Sequence, residues 1–236
     1  ADDTVLQTID IEHVMNGRCL SAHYLLPTGV TATLTATLPN GSAVLSLRLQ
    51  VSNPATLRPS QAVRVPRVVF PTISGLRIGE SAEDDRLATG WIQGELVSNP
   101  VATLSHRRRA AYPGRACVPW LDLYDDAGGV FLNPLSDGHC QLEIITAAEN
   151  GTMTLANDWW PLLEPGESWT SPVIELGVHD GAWYQVADRF REWSLQATPP
   201  RAQPDWLTTC DGWTGSGGPS YKFSELPAML ETAQSY

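Results

Sequence analysis

Strict alternation between Thr31 and Leu38 constrains this chain more than any other feature: Thr recurs at every second position, with Ala or Leu between. A period of two puts alternate side chains on opposite faces of an extended strand, and no helix can use such a pattern. Pro39-Asn40-Gly41-Ser42 follows, and then Leu45, Leu47, Leu49 and Val51 alternate with polar residues. Two alternating runs joined by Asn-Gly read as a β-hairpin. The same logic predicts a second hairpin from Leu121 to Tyr124 and Val130 to Leu132 around Asp125-Asp126-Ala127-Gly128-Gly129. A third joins Leu142 to Thr146 with Thr152 to Ala156 around Asn150-Gly151, and Val173 to Val178 adds a further strand. Many short strands punctuated by Pro, Gly and Asn, with no helical period before Asp180, indicate a large antiparallel sandwich.

The period changes at Asp180, a residue able to N-cap a helix. Trp183, Val186, Ala187, Phe190 and Trp193 form an apolar stripe at helical spacing, and Asp188, Arg189, Arg191 and Glu192 are expected to face away. The segment Thr198-Pro199-Pro200-Arg201-Ala202-Gln203-Pro204 is too proline-rich to continue a helix and reads as a connector. Beyond it, Leu207-Thr208-Thr209-Cys210 reads as a short buried strand, Asp211 to Pro219 as a glycine-rich loop, and Ser224 as the N-cap of a helix carrying Leu226, Met229, Leu230 and Ala233. A strand, a loop and a helix are one unit of a repeating β/α architecture. The domain expectation is therefore a sandwich over 1–179, a helix and connector over 180–204, and the start of a truncated barrel over 205–236.

Composition narrows the partners. The formal charge is −11 and Lys222 is the sole lysine, so no positive field exists to hold a phosphate backbone. Nucleic acid is excluded on that ground, and neutral ligands such as sugars stay open. No run of about eighteen apolar residues is present, which argues against a helical membrane span. Ala1-Asp2-Asp3 lacks a signal-peptide pattern, and the missing initiator Met suggests a processed or excised N-terminus. Arg107-Arg108-Arg109 is the one basic cluster, a solvated strand end on the plainer reading and an anion site on the other. Cys19, Cys117, Cys140 and Cys210 lack CxxC spacing, so no zinc or redox motif is expected. Buried free thiols are the default, with a Cys117–Cys140 pair open to a secreted protein.

Three stretches carry a family resemblance: Phe70-Pro71-Thr72-Ile73-Ser74-Gly75-Leu76; Tyr112-Pro113-Gly114 running to Leu123-Tyr124-Asp125 and Gly128-Gly129; and His179-Asp180-Gly181-Ala182-Trp183 with Ala187-Asp188-Arg189-Phe190-Arg191-Glu192-Trp193. In order and spacing they resemble a bacterial family carrying a domain of unknown function, type 6259. That family is itself similar to α-galactosidase-like and endo-α-N-acetylgalactosaminidase-like glycoside hydrolases. The resemblance implies a galactose-mutarotase-like β-supersandwich, a linker helix and the first β/α unit of a (β/α)₈ barrel. It implies a carbohydrate substrate and a partner that is the rest of the barrel or another copy of the chain; the localisation stays open, with an extracellular or periplasmic setting favoured.

Barrel enzymes place their working groups at the C-terminal ends of strands. Asp211, Trp213 and Tyr221 are accordingly the expected substrate-binding residues: a Trp ring stacks on a sugar face while a carboxylate accepts its hydroxyls. Turn and core roles are the plainer alternative for these three. Glycoside hydrolysis needs two opposed carboxyls, which the resembled enzymes take from later strands, so no catalytic residue is assigned. Asp84-Asp85, Asp125-Asp126 and Glu164/Glu167 are expected to be solvated turn acids, and neither a cofactor nor a metal is expected. Of the Trp residues, Trp159-Trp160 read as packing or a sugar platform. The rival to an accessory sandwich is a stand-alone carbohydrate-binding or adhesion module with Trp91, Trp120 or that pair as its face.

Overall fold

The computed structural model describes residues 5–14, 16–55, 63–209, 222–225, 227, 228 and 231. Two compact units divide the chain, residues 1–198 and 199–236.

The first unit is a sandwich of antiparallel sheets. Its strands are β1 (Val5–Val14), β2 (Gly17–Leu25), β3 (Thr31–Pro39), β4 (Val44–Ser52), β5 (Val68–Leu76), β6 (Arg86–Trp91), β7 (Glu95–Ser98), β8 (Arg108–Tyr112), β9 (Ala116–Tyr124), β10 (Gly129–Pro134), β11 (Leu142–Glu149), β12 (Thr152–Trp159), β13 (Ser168–Thr170) and β14 (Ile174–His179). Ten of them build the large sheet in the order β1-β2-β3-β4-β14-β10-β9-β6-β7, with β13 joined to β4; the other four build the small sheet, β5-β12-β11-β8. All three hairpins expected from the alternation are present, as β3–β4, β9–β10 and β11–β12. Asn150 and Gly151 both take left-handed backbone (φ 52° and 76°), the geometry of the two-residue turn that their sequence signals.

The core lies between the sheets. Leu121, Leu123, Leu132 and Ile174 point inward from the large sheet, and Leu142, Ile144, Met153, Leu155 and Trp159 meet them from the small one. Trp159 is fully buried and its indole Nε1 donates to the Phe70 carbonyl at 2.7 Å, so this half of the Trp pair is core. Its neighbour Trp160 is half-buried with the Arg67 guanidinium 5.7 Å from its ring, which leaves no open platform there.

The long helix α2 spans Tyr184–Ala197. Trp183, not Asp180, occupies its N-cap and makes no side-chain cap bond. The Asp180 contribution is its carbonyl, which accepts from Gln185 Nε2 at 2.6 Å. α2 covers the outer face of the large sheet, where Ala88, Trp120, Tyr124 and Phe131 form a second apolar layer with fully buried Val186. Trp183, Phe190 and Trp193 are half-buried. Arg189 does not face away: it pairs with Glu175 on β14 at 2.5 Å and lies 5.9 Å from the Phe131 ring. The period change also missed one short helix, α1 (Pro100–Thr103), seeded by Asn99, whose side chain accepts from Ala102 N.

In the second unit, Asp205–Thr208 is a short helix, α3, which corrects the expected strand from Leu207. The physical reason is local. An extended segment must find a neighbouring strand for its backbone, whereas one helical turn bonds to itself: Thr209 N donates to the Asp205 carbonyl at 3.1 Å, and Asp205 supplies negative charge to the first turn. Phe223–Glu225 is a 3₁₀ turn in which Glu225 Oε2 accepts from Lys222 N, so Lys222 and not Ser224 takes the capping position. Cys210, Leu226, Met229, Leu230 and Ala233 lie outside the described residues.

Candidate functional site: an aromatic cleft beside the linker helix

A cleft of about 390 Å³ opens on the outer face of the large sheet, between β6, β7, β9 and the start of α2. Ala88, Val118 and Trp120 make its floor, Trp183 one wall, and Gln93 with Leu96 the opposite rim. Each wall has a local cause. β6 and β9 approach so closely at Gly90 that a Cβ there would sit 2.2 Å from the Val118 carbonyl oxygen, so glycine is required. Trp120 stacks on Trp183 at 6.0 Å and 19°, and Trp183 contacts Tyr184 at 4.3 Å. The rim is a hairpin turn in which Ile92 and Gln93 both have positive φ (38° and 71°), a costly backbone for β-branched Ile92. That Ile92 is also 56% exposed, so burial does not compensate it.

Chemically the cleft offers an apolar floor, an aromatic wall and few polar groups. Glu95 is the acid that lines it, and its carboxylate is held by Arg108 at 2.7 Å. An opposed pair of carboxyls, the minimum for glycoside hydrolysis, is not present in its lining. The arrangement suits binding of an apolar face, such as the C–H face of a pyranose or a protein side chain. Of the candidate binding tryptophans, Trp120 lies in the floor but is 7% exposed, with Trp183 over it. Trp91 is flanked by Arg108 and Arg115, 5.5 and 5.3 Å from its ring. Half-buried Trp183 is the accessible aromatic wall of the cleft, and exposed Tyr184 lies against it outside the lining. The sequence offered Trp183 as part of a helix stripe, and only its N-terminal position on α2 could have singled out the pair.

The buried acids fall elsewhere and correct the expectation of solvated turns. Asp85 and Asp125 are 1% and 6% exposed. Asp125 Oδ1 accepts from Ala127 N and Gly128 N, closing the β9–β10 turn. Burial pushes the Asp85 carboxyl above the usual range; a bond from Ile78 N opposes the shift, and nearby Asp125 and Asp84 reinforce it. Glu164 does behave as expected, exposed and paired with Arg64. Two further buried acids went unsuspected. Asp158 on β12 accepts from Arg67 and Arg109, and Arg109 also grips Glu143. The basic run is therefore neither solvated nor an anion site at Arg108 and Arg109, which are committed to ion pairs with Glu95, Glu143 and Asp158. Asp122 on β9 accepts from His179 Nε2 at 3.0 Å, with both side chains buried. Burial raises the Asp122 carboxyl and the His179 contact opposes the rise.

Cys19, Cys117 and Cys140 are free thiols. Cys117 is exposed on β9 and Cys140 lies in the loop before β11, so they do not pair and are not fully buried. Among the described residues no three His, Cys, Asp or Glu side chains converge as a metal set, and no helix is long and apolar enough to cross a membrane. Asp211, Trp213 and Tyr221 lie outside the described residues.

No protein-family model and no curated protein matches the sequence. Solved structures do match the fold. The α-galactosidase from Lactobacillus brevis superimposes with a TM-score of 0.57 over 82% of this chain at 13% identity. The α-N-acetylgalactosaminidase NagBb from Bifidobacterium bifidum, in its GalNAc complex, gives 0.58 over 81% at 13% identity. The GH36 α-galactosidase AgaB from Geobacillus stearothermophilus gives 0.53 over 77% at 15% identity. This chain spans 29%, 30% and 28% of those three chains, respectively.

Proposed function

Starting from a fold shared with glycosidases of which it spans less than a third, we propose that this chain is the non-catalytic β-sandwich portion of a glycoside hydrolase acting on O-glycosidic bonds of a glycan. The catalytic barrel then lies largely outside this chain. The observation that carries the reading is the match of the sandwich, over 81–82% of the chain, to an α-galactosidase and an α-N-acetylgalactosaminidase. The site chemistry agrees with it: the lining of the aromatic cleft has no free carboxyl pair, and of the buried acids described, Asp158 is tied to Arg, Asp122 to His, Asp125 closes a turn and Asp85 accepts from Ile78 N. On this reading the substrate is a glycan, and Asp211, Trp213 and Tyr221 are its contacts in this chain. Incubation with aryl α-galactoside and aryl α-N-acetylgalactosaminide tests the proposal. The 236-residue protein is expected to release no phenol, and turnover abolished by Asp211→Asn would place catalysis in this chain and refute it.

The accessible pair Trp183–Tyr184 favours one alternative, a stand-alone carbohydrate-binding module with the cleft as its subsite. Glycan binding by the isolated chain that is lost in Trp183→Ala, measured by calorimetry, would favour that reading over the accessory one.

A further inference from the structure

Two buried carboxylates oppose each other where β6 enters the sandwich. β6 and β9 pair as Arg86 with Tyr124 and Leu87 with Leu123, and one further step of that register sets Asp85 opposite Asp125. The ladder reaches that far, since Asn99 N donates to the Asp85 carbonyl at 2.8 Å. With a period of two, Asp85 shares a face with Leu87 and Asp125 with Leu123, the face that packs the inter-sheet core. Residues directly opposite hold their Cβ atoms about 5 Å apart, and like charges so placed repel. Asp85 and Asp125 are 1% and 6% exposed, so water screens that repulsion poorly.

Backbone N–H groups, not cations, are the hydrogen-bond partners of the pair. Ile78 N donates to Asp85 Oδ2 at 3.5 Å, and Ala127 N and Gly128 N donate to Asp125 Oδ1 at 2.7 and 3.0 Å. Arg86, next in sequence to Asp85, turns to the other face and pairs with Asp126 at 2.8 Å. Arg77 acts on Asp85 more weakly than the acids Asp125 and Asp84 do. Two oxygens border the space between the carboxyls. Asp85 Oδ1 is buried and meets no hydrogen-bond donor among the described residues. Asp125 Oδ2 lies 2.9 Å from the point where a Cβ on Gly79 would stand, against the same loop whose Ile78 N holds the other Asp85 oxygen.

We propose that Asp85 and Asp125 hold a calcium ion between the start of β6 and the β9–β10 turn. An all-oxygen donor set selects a hard cation. Calcium tolerates irregular coordination and completes its shell with backbone carbonyls and water, so two carboxylates suffice where three converging side chains are not present. Exposed Gly79, Glu80, Ser81, Glu83 and Asp84 lie in the loop leading to the pair and give an acidic approach from solvent. Two ligand charges place the affinity at the weak end, with a dissociation constant of about 10⁻⁴–10⁻³ M. The ion ties this loop to the turn in which Gly128 backs onto the His179 carbonyl, just ahead of α2. The proposal does not depend on the glycosidase reading.

Equilibrium dialysis against radioactive calcium, with thermal melts at neutral pH in EDTA and in rising CaCl₂, tests it. The wild-type chain takes up one ion, and its melting temperature rises by about 3–10 °C when calcium exceeds the dissociation constant by about 10–100-fold. Asp85→Asn and Asp125→Asn lose both the uptake and the thermal rise. Asparagine at position 125 keeps the Oδ1 that closes the turn, and removing one of two opposed charges leaves Asp85→Asn at least as stable as wild type in EDTA. A lost calcium response is thereby distinguished from a lost fold. Glu164→Gln, at an exposed carboxylate paired with Arg64, responds as wild type. No uptake by the wild-type chain at millimolar calcium, uptake unchanged in both Asp variants, or a thermal rise matched by NaCl of equal ionic strength overturns the proposal and leaves the two carboxyls to share a proton.

Discussion

Gly177→Ala on β14 tests the packing of α2 on the sandwich through a single methyl group. Gly177 faces Val44 and Phe131, and a Cβ built there would lie 2.5 Å from Phe131 Cζ and 3.0 Å from Val44 Cγ2. Two effects compete. Replacing Gly by Ala narrows the unfolded ensemble and stabilises by about 0.4–1 kcal/mol where the backbone permits it, and the φ of Gly177 is not among the left-handed ones. Against that, an overpacked core costs about 1–3 kcal/mol. The ring cannot swing aside freely. Phe131 is 1% exposed, with the His179 ring 6.1 Å and the Arg189 guanidinium 5.9 Å from it. Overpacking should therefore prevail, leaving Gly177→Ala destabilised by about 1–2 kcal/mol. Urea unfolding followed by circular dichroism measures this. Phe131→Leu in the same background should recover part of the loss, giving a coupling energy of at least about 0.5 kcal/mol in the double-mutant cycle. A Gly177→Ala chain as stable as wild type, or strictly additive behaviour with Phe131→Leu, would refute the argument that this glycine exists to seat the ring under the helix.

Asp158→Ala should cost about 3–5 kcal/mol, because it strips the buried acceptor from Arg67 and Arg109 at once; denaturant midpoints give the value, and a loss below about 1 kcal/mol would show the pair to be solvated. Asp85 supplies a pH test: its carboxyl is raised by burial, so the folded state holds its proton more tightly than the unfolded chain does. Its stabilising contribution is complete below the unfolded carboxylate value of about 3.9 and is lost as pH rises through the folded value. Asp85→Asn should abolish that contribution, and thermal melts in a series rising from about pH 4 should show a wild-type loss of stability that the variant lacks. Trp193→Ala should cost only about 1–2 kcal/mol, well under the cost of removing a fully buried Trp, because Trp193 is half-buried; a larger loss in melting experiments would reveal burial by a further partner.

Strands were legible wherever one face was buried and the other wet. Thr31 to Leu38 alternates because β3 separates a polar face from an apolar one, and its hairpin with β4 was readable residue by residue. β1 and β2 were not read: Ile9 to Glu12 alternates over four residues only, and Gln7 and Thr8 before it fall at an irregularity in the register. α2 was legible from its 3.6-residue period, yet periodicity cannot say that Arg189 reaches back to Glu175 across the sheet. Turn acids were misread for a similar reason. Asp85 and Asp125 sit in turn-like sequence, and their burial depends on the loop around Ile78 and Gly79, which brings the two together from distant points of the chain. The cleft was invisible altogether. Its walls come from residues 88–96, 117–120 and 183, which only the β6–β9 pairing and the descent of α2 bring together.

The helix α2 is bound at its first turns by Val186, at its middle by the Arg189–Glu175 pair, and ahead of its start by the His179–Asp122 contact on the last strand. Fourteen residues at about 1.5 Å each make it a rod of roughly 21 Å. Up to Ala197, then, it lies as a lever whose heading is dictated by the sheet. A cut at His179 would remove that lever and strip the cover from Trp120, Tyr124 and Phe131, so an autonomous fragment has to run to Thr198.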